Sequence, residues 1–133
     1  MVYAFRREAD DHGRYAAWLR ETVESDEAYG ISELVLSGFL RIVTHPRVMR
    51  RPAPIETALA FADTLRDQPS AVTLSPGPRH WGIFTRLCRE ARATGNLVPD
   101  AYLAALAIEH GAELITTDRD FARFSSLRWR PPL

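Results

Sequence analysis

The chain contains no lysine: all 17 of its Lys-plus-Arg residues are arginine. That absence excludes Schiff-base chemistry, a lysine general base and the phosphate-binding lysine of a P-loop. Cysteine is almost absent too. Cys88 stands alone, so neither an internal disulfide framework nor a cysteine-rich zinc site is possible within one chain. Its spacing from Phe84, Leu87 and Ala91 places it on one helical face, as core packing. No apolar run approaches the roughly 20 residues that span a bilayer. No signal peptide is visible, because Arg6-Arg7-Glu8 interrupts the N-terminus at once. A membrane protein is therefore not expected, and a reducing cytoplasm is the default compartment. Net charge is also missing, with 17 basic residues against 17 acidic ones. A strongly basic, nonspecific nucleic-acid binder normally shows in that balance. A local RNA site is compatible with it.

What is present suits a folded domain. At 133 residues and 46% hydrophobic, the chain can bury a core and form one domain over 1–133. Asp10-Asp11-His12 reads as a helix start, and Tyr15, Trp18, Leu19 and Val23 continue at helical spacing to about Ser25. Ala28 to Ile31 is a short strand candidate. Ser32 is a good N-cap for a buried helix through Leu36, Phe39 and Val43, stopped by His45-Pro46. A basic loop carrying Arg47, Arg50 and Arg51 follows. Pro54 opens another helix to about Leu65, and Ala71 to Leu74 is a second strand.

After the turn Ser75-Pro76-Gly77-Pro78, a helix is predicted over 79–93 with Trp81, Phe84, Leu87 and Cys88 inward. Pro99 is placed as the first residue of the next helix, and Gly111 as its C-terminal cap. The strand 113–116, a helical turn over 118–124 and an edge strand near 127–129 complete the chain. Short strands separated by helices imply α/β: a short parallel sheet flanked by helices in three layers. Tyr15, Trp18 and Trp81 read as core. His12, His45, His80 and His110 read as surface or cap residues.

Three acids occupy equivalent places in their units. Glu33 and Asp100 stand in the first turns of buried helices, and Asp118 stands just beyond a short strand. Ligands of open α/β sheets collect outside the carboxyl ends of strands. Adjacent strands would bring the three together on one sheet edge. Carboxylates about 4 Å apart repel by roughly 4 kcal/mol at an effective dielectric near 20. Protonation, an arginine, or a divalent cation with oxygen ligands would offset that. Each acid also has a plain structural role: dipole partner for Glu33 and Asp100, N-cap for Asp118.

Four segments carry a more specific pattern: Val2-Tyr3-Ala4-Phe5; Gly30-Ile31-Ser32-Glu33-Leu34-Val35 running on to His45-Pro46; Asn96-Leu97-Val98-Pro99-Asp100-Ala101-Tyr102; and Thr116-Thr117-Asp118-Arg119-Asp120-Phe121. Nearly the whole chain resembles a PIN-domain protein, specifically a VapC-type toxin of bacterial toxin–antitoxin pairs. The resemblance implies a Mg²⁺- or Mn²⁺-dependent ribonuclease. It implies Glu33, Asp100 and Asp118 as metal-holding catalytic acids, with Thr116 and Asp120 supporting them. Arg119 would contact the RNA substrate, the partner would be a VapB-type antitoxin, and the chain would form a homodimer. The rival reading is a metal-free PIN-like module that only engages a partner protein.

One feature of the family pattern is missing. Its first acid lies in a strand ending Asp-x-Asn, directly before the segment that begins here at Val2. The expected fold is thus PIN-like with its first strand truncated, and weaker metal binding and stability if the chain begins at Met1. An Asp-x-Asn in the codons read in frame upstream of Met1 is the expected finding; its absence there would defeat this expectation.

Overall fold

The computed structural model describes residues 1–133. Two compact units divide the chain, Met1–Thr73 together with Leu133, and Leu74–Pro132.

In the N-terminal unit, α1 (Val2–Phe5) and α2 (His12–Glu24) precede β1 (Tyr29–Ile31), α3 (Glu33–Val43), α4 (Ile55–Arg66) and β2 (Ala71–Thr73). Ser32 caps α3 as expected, its side chain accepting a hydrogen bond from Leu34 N at 3.2 Å. β1 and β2 pair in parallel, with Tyr29 opposite Ala71 and Ile31 opposite Thr73. Leu36, Phe39 and Val43 recur at three-and-four spacing, so one stripe of α3 is buried. Phe5, Phe39 and Phe61 meet with ring centroids 5.1–5.3 Å apart. Each such aromatic pair adds about 0.5–1.5 kcal/mol beyond burial.

In the C-terminal unit, α5 (His80–Glu90) and α6 (Leu97–Glu109) form a hairpin, followed by β3 (Leu114–Ile115), a 3₁₀ turn (Arg119–Arg123) and β4 (Trp129–Arg130). β3 and β4 pair in parallel. Each unit thus has its own two-stranded parallel sheet. Strands of only two or three residues offer few ladder bonds, and helices dominate both units.

The hairpin closes on small side chains. Ala101, Ala104 and Ala105 of α6 are fully buried, as is Leu87 of α5, and Phe121 and Phe124 join the same core. α6 ends at Gly111, whose φ of +64° suits glycine; Gly111 N donates to Ile108 O and Ala112 N to Ala107 O. α5 ends the same way, but with Arg92 in the left-handed position at φ +48°. The loop before α5 is tied to the end of α6. Gly77 N and Arg79 N donate to the Glu109 carboxylate at 2.8 and 3.0 Å, and His110 Nε2 donates to Ser75 O at 2.8 Å. These backbone donors hold the Glu109 carboxyl below its ordinary range.

Several local expectations need correction. α6 starts at Leu97, two residues before Pro99, so the proline is third in the helix rather than first. It is tolerated there because the first-turn N–H groups have no partner within the helix. Trp81 is not inward: it is 69% exposed, although its ring lies 5.5 Å from that of Phe84. The inward stripe runs through His80, Phe84 and Leu87 at four-and-three spacing, and residue 81 lies about 100° round the helix from His80. His80 is the opposite case. It is buried, donates from Nε2 to Tyr102 O at 3.0 Å, and its ring lies 4.3 Å from that of Tyr102. A carbonyl only accepts, so Nε2 carries the proton. The final strand begins at Trp129 rather than near Leu127, whose side chain is buried.

Phe39→Ala is expected to destabilise the protein by about 3–5 kcal/mol, as for other buried Phe truncations. Urea unfolding checks this; a loss below 1 kcal/mol would mean the aromatic cluster is not a packed core.

Candidate metal centre

The site is built by two elements of the C-terminal unit. Asp100 stands in the first turn of α6, where burial of the next residue, Ala101, orients the helix. Asp118 lies three residues beyond β3, before the 3₁₀ turn. Its backbone N–H donates to Thr116 Oγ1 at 3.1 Å, and its Oδ1 accepts from Asp120 N at 2.9 Å. Asp118 is therefore the N-cap of the turn, as its position suggests. One oxygen of the carboxylate serves that cap and the other is uncommitted. Phe121, buried beside Asp120, anchors the turn to the core.

The outcome is a cluster. Asp100, Asp118 and Asp120 each present a carboxylate oxygen, and the three atoms lie within 4.8 Å of one another. At that separation a pair of charges repels by about 1 kcal/mol in water and roughly 3–4 kcal/mol at an effective dielectric of 20. The Asp100 carboxyl is pushed up from its ordinary range, first by burial, then by the charges of Asp118 and Asp120. Neither Asp100 nor Asp118 has an arginine partner; Asp120 has only Arg123, its Nε 4.0 Å from Oδ1. A three-oxygen donor set with little internal compensation fits a hard divalent cation, whose preferred ligands are carboxylate oxygens.

Asp120, expected in support of the other acids, lies in their cluster. Two positions after a capping aspartate, it is drawn in by its own N–H bond to Asp118. Thr116 is half-buried and holds the Asp118 backbone, while Arg119 opens the turn and is exposed. Glu33 belongs to the N-terminal unit. Its carboxylate is ion-paired there with Arg66 Nη2 at 2.8 Å, and both side chains are largely exposed. Arg123 was missed by sequence reading. Its three-residue spacing from Asp120 was the available signal, since such residues share a face of a 3₁₀ turn.

The raised Asp100 carboxyl has a definite consequence for stability. Its folded ionisation lies above the unfolded one, so the ionised form costs stability, and that cost grows as pH rises through the folded value. In EDTA at pH 7, Asp100→Asn should melt above the wild type, and the gap should close as pH falls below the usual aspartate range. Thermal unfolding across pH checks this; a variant that melts lower at pH 7 would show that Asp100 is not strained by its neighbours.

The PIN domain family matches residues 1–127. The chain is 42% identical over 133 residues to VapC ribonuclease Mb2897 of Mycobacterium bovis, covering all of this chain and 90% of that protein. It is 39% identical over 134 residues to ribonuclease VapC25 of Mycobacterium tuberculosis, covering all of this chain and 94% of that one. Among solved structures, VapBC2 from Rickettsia felis, bound to a DNA fragment from its promoter, has a chain with the same fold. The TM-score is 0.64 at 19% identity, over 98% of this chain and 91% of that chain. No helix is long and apolar enough to cross a membrane. A family match over residues 1–127 and a relative 42% identical over the whole chain make this protein a member of the PIN-domain family, among the VapC ribonucleases.

Proposed function

We propose that this protein is the toxin of a type II toxin–antitoxin pair and hydrolyses RNA phosphodiester bonds with Mg²⁺ or Mn²⁺. The carrying observation is the meeting of Asp100, Asp118 and Asp120 oxygens within 4.8 Å, on a chain belonging to the VapC ribonucleases. Bound among these oxygens, the ion would polarise the scissile phosphate and favour an ionised attacking water. The chain's own residues do the rest. Asp100 and Asp118 hold the ion. Asp118 is oriented by the Asp120 N–H and by Thr116, so its free oxygen keeps one direction. Asp120 adds a third carboxylate. Arg119, exposed beside Asp118, takes a phosphate of the RNA strand. Glu33 is retained as a further ligand on the strength of the family resemblance. Its surface pair with Arg66 is worth about 0–1 kcal/mol, a small cost to open.

The two units are read as parts of one domain over 1–133, supported by a family match that runs through both. A VapB-type antitoxin as partner, a homodimeric assembly and a cytoplasmic location, where RNA is available, complete this reading. The similar chain of Rickettsia felis comes from a VapBC2 assembly, which supports the first of these.

Calorimetric titration with Mn²⁺ separates the ribonuclease from a metal-free binding module. The wild type is expected to bind, Asp118→Asn to lose at least about tenfold in affinity, and EDTA to abolish cleavage of an RNA substrate. Glu33→Gln, measured the same way, tests its place among the ligands. Mn²⁺ binding that is absent in the wild type, or unchanged in Asp100→Asn, would favour the noncatalytic module.

A further inference from the structure

We propose that Arg123 is the internal counter-ion of the acidic cluster, holding Asp120 in the absence of a cation and competing with the cation for it. This rests on the divalent-cation reading above. Arg123 closes the 3₁₀ turn that Arg119 opens. With three residues per turn, positions i and i+3 eclipse. Phe121 and Phe124 take the buried face, so Asp120 and Arg123 share another, and both are exposed. The guanidinium Nε lies 4.0 Å from Asp120 Oδ1. No other arginine pairs with any of the three acids.

The chemistry of this pair makes it a competitor rather than a ligand support. A guanidinium offers donors only and cannot lose its proton at working pH. A divalent ion on Asp120 takes the lone pairs that Arg123 faces and repels it. Arg123 must therefore move aside when the ion arrives. The cost is small because the pair is exposed and solvated. An exposed pair of this kind corresponds to about a two- to fivefold effect on the competing equilibrium. Arg123 thus raises the cation concentration at which the site fills, and shields the cluster while it waits. Arg119 lies in the same turn and has no acid partner, which makes it the natural control.

The test is calorimetric Mn²⁺ titration of the intact chain at low ionic strength. Arg123→Gln should bind Mn²⁺ about two- to fivefold more tightly than wild type. Arg123→Lys should restore wild-type affinity, and Arg119→Gln should change it less than Arg123→Gln does. In an Asp120→Asn background the Arg123→Gln effect should vanish. Structural damage would loosen binding, so tightening is a readout it cannot imitate. Looser or unchanged binding in Arg123→Gln, with Asp100→Asn still impaired, overturns the proposal. So does equal tightening in Arg119→Gln, which would mean a diffuse field rather than a contact. Full binding in Asp100→Asn overturns the cation reading itself.

Discussion

The burial of Phe121 and Phe124 against the alanine face of α6 is the constraint on which the site depends. Ala101, Ala104 and Ala105 have no exposed surface, and the two phenylalanine rings are nearly as buried. Small side chains let the 3₁₀ turn approach the helix closely; a leucine at any of these positions would force it outward. The rings sit three apart, so they fix which face of the turn points down. Everything else on the turn follows from that. Asp118 caps it, and Asp120 is brought within reach of Asp100. The hydrophobic term thus does the positioning, and the acids ride on it. Apolar burial of about 25 cal/mol per Å² readily outweighs repulsion among partly solvated carboxylates.

Asp100 experiences opposing fields. The amino end of a 13-residue helix favours a negative charge in its first turn. Burial and two neighbouring carboxylates disfavour it, and they prevail, because the Asp100 carboxyl is raised. Such strain is a common mark of a functional site rather than of a stabilising one. Glu109, at the other end of the same helix, shows the contrast. It too faces a chain turn, but there two backbone N–H groups donate to it and its carboxyl is lowered. One helix therefore carries a carboxylate that supports the fold and another that works against it. Stability is lost at Glu109 as pH falls through its folded value, and at Asp100 as pH rises through its own.

Much of this was legible in the amino-acid order, for reasons that can be named. Ser32, Pro54 and Gly111 mark helix ends because each solves a local backbone problem, and all three stand where expected. Asp100 and Asp118 could be placed because each falls at a helix or turn start that its neighbours in sequence define, whatever further duty it has. The misreadings arose where a tertiary neighbour decides. Trp81 was assigned inward with Phe84, Leu87 and Cys88, yet the buried stripe of α5 runs through His80 rather than through its neighbour, and residue 81 falls at its edge. His80 was assigned to the surface as a polar residue at a helix start. Its burial depends on the Tyr102 carbonyl, 22 positions away, which spacing within one helix cannot reveal. The pairing of strands into two short sheets was equally out of reach, since partner choice is a nonlocal property.

Asp118 shows why the plain structural reading of an acid and the catalytic one need not compete. A cap needs an accepting oxygen and a cation needs a charged one, and both gain from being held still. The cap occupies Oδ1 through the Asp120 N–H and leaves Oδ2 free, so one group serves both ends. The bond that satisfies an orphan donor of the turn also removes rotational freedom that a ligand would otherwise lose on binding. Substituting asparagine at Asp118 keeps an oxygen for the cap while removing the charge. Stability and cation affinity should therefore part company at this residue. An acid that served only as a cap would show no such separation.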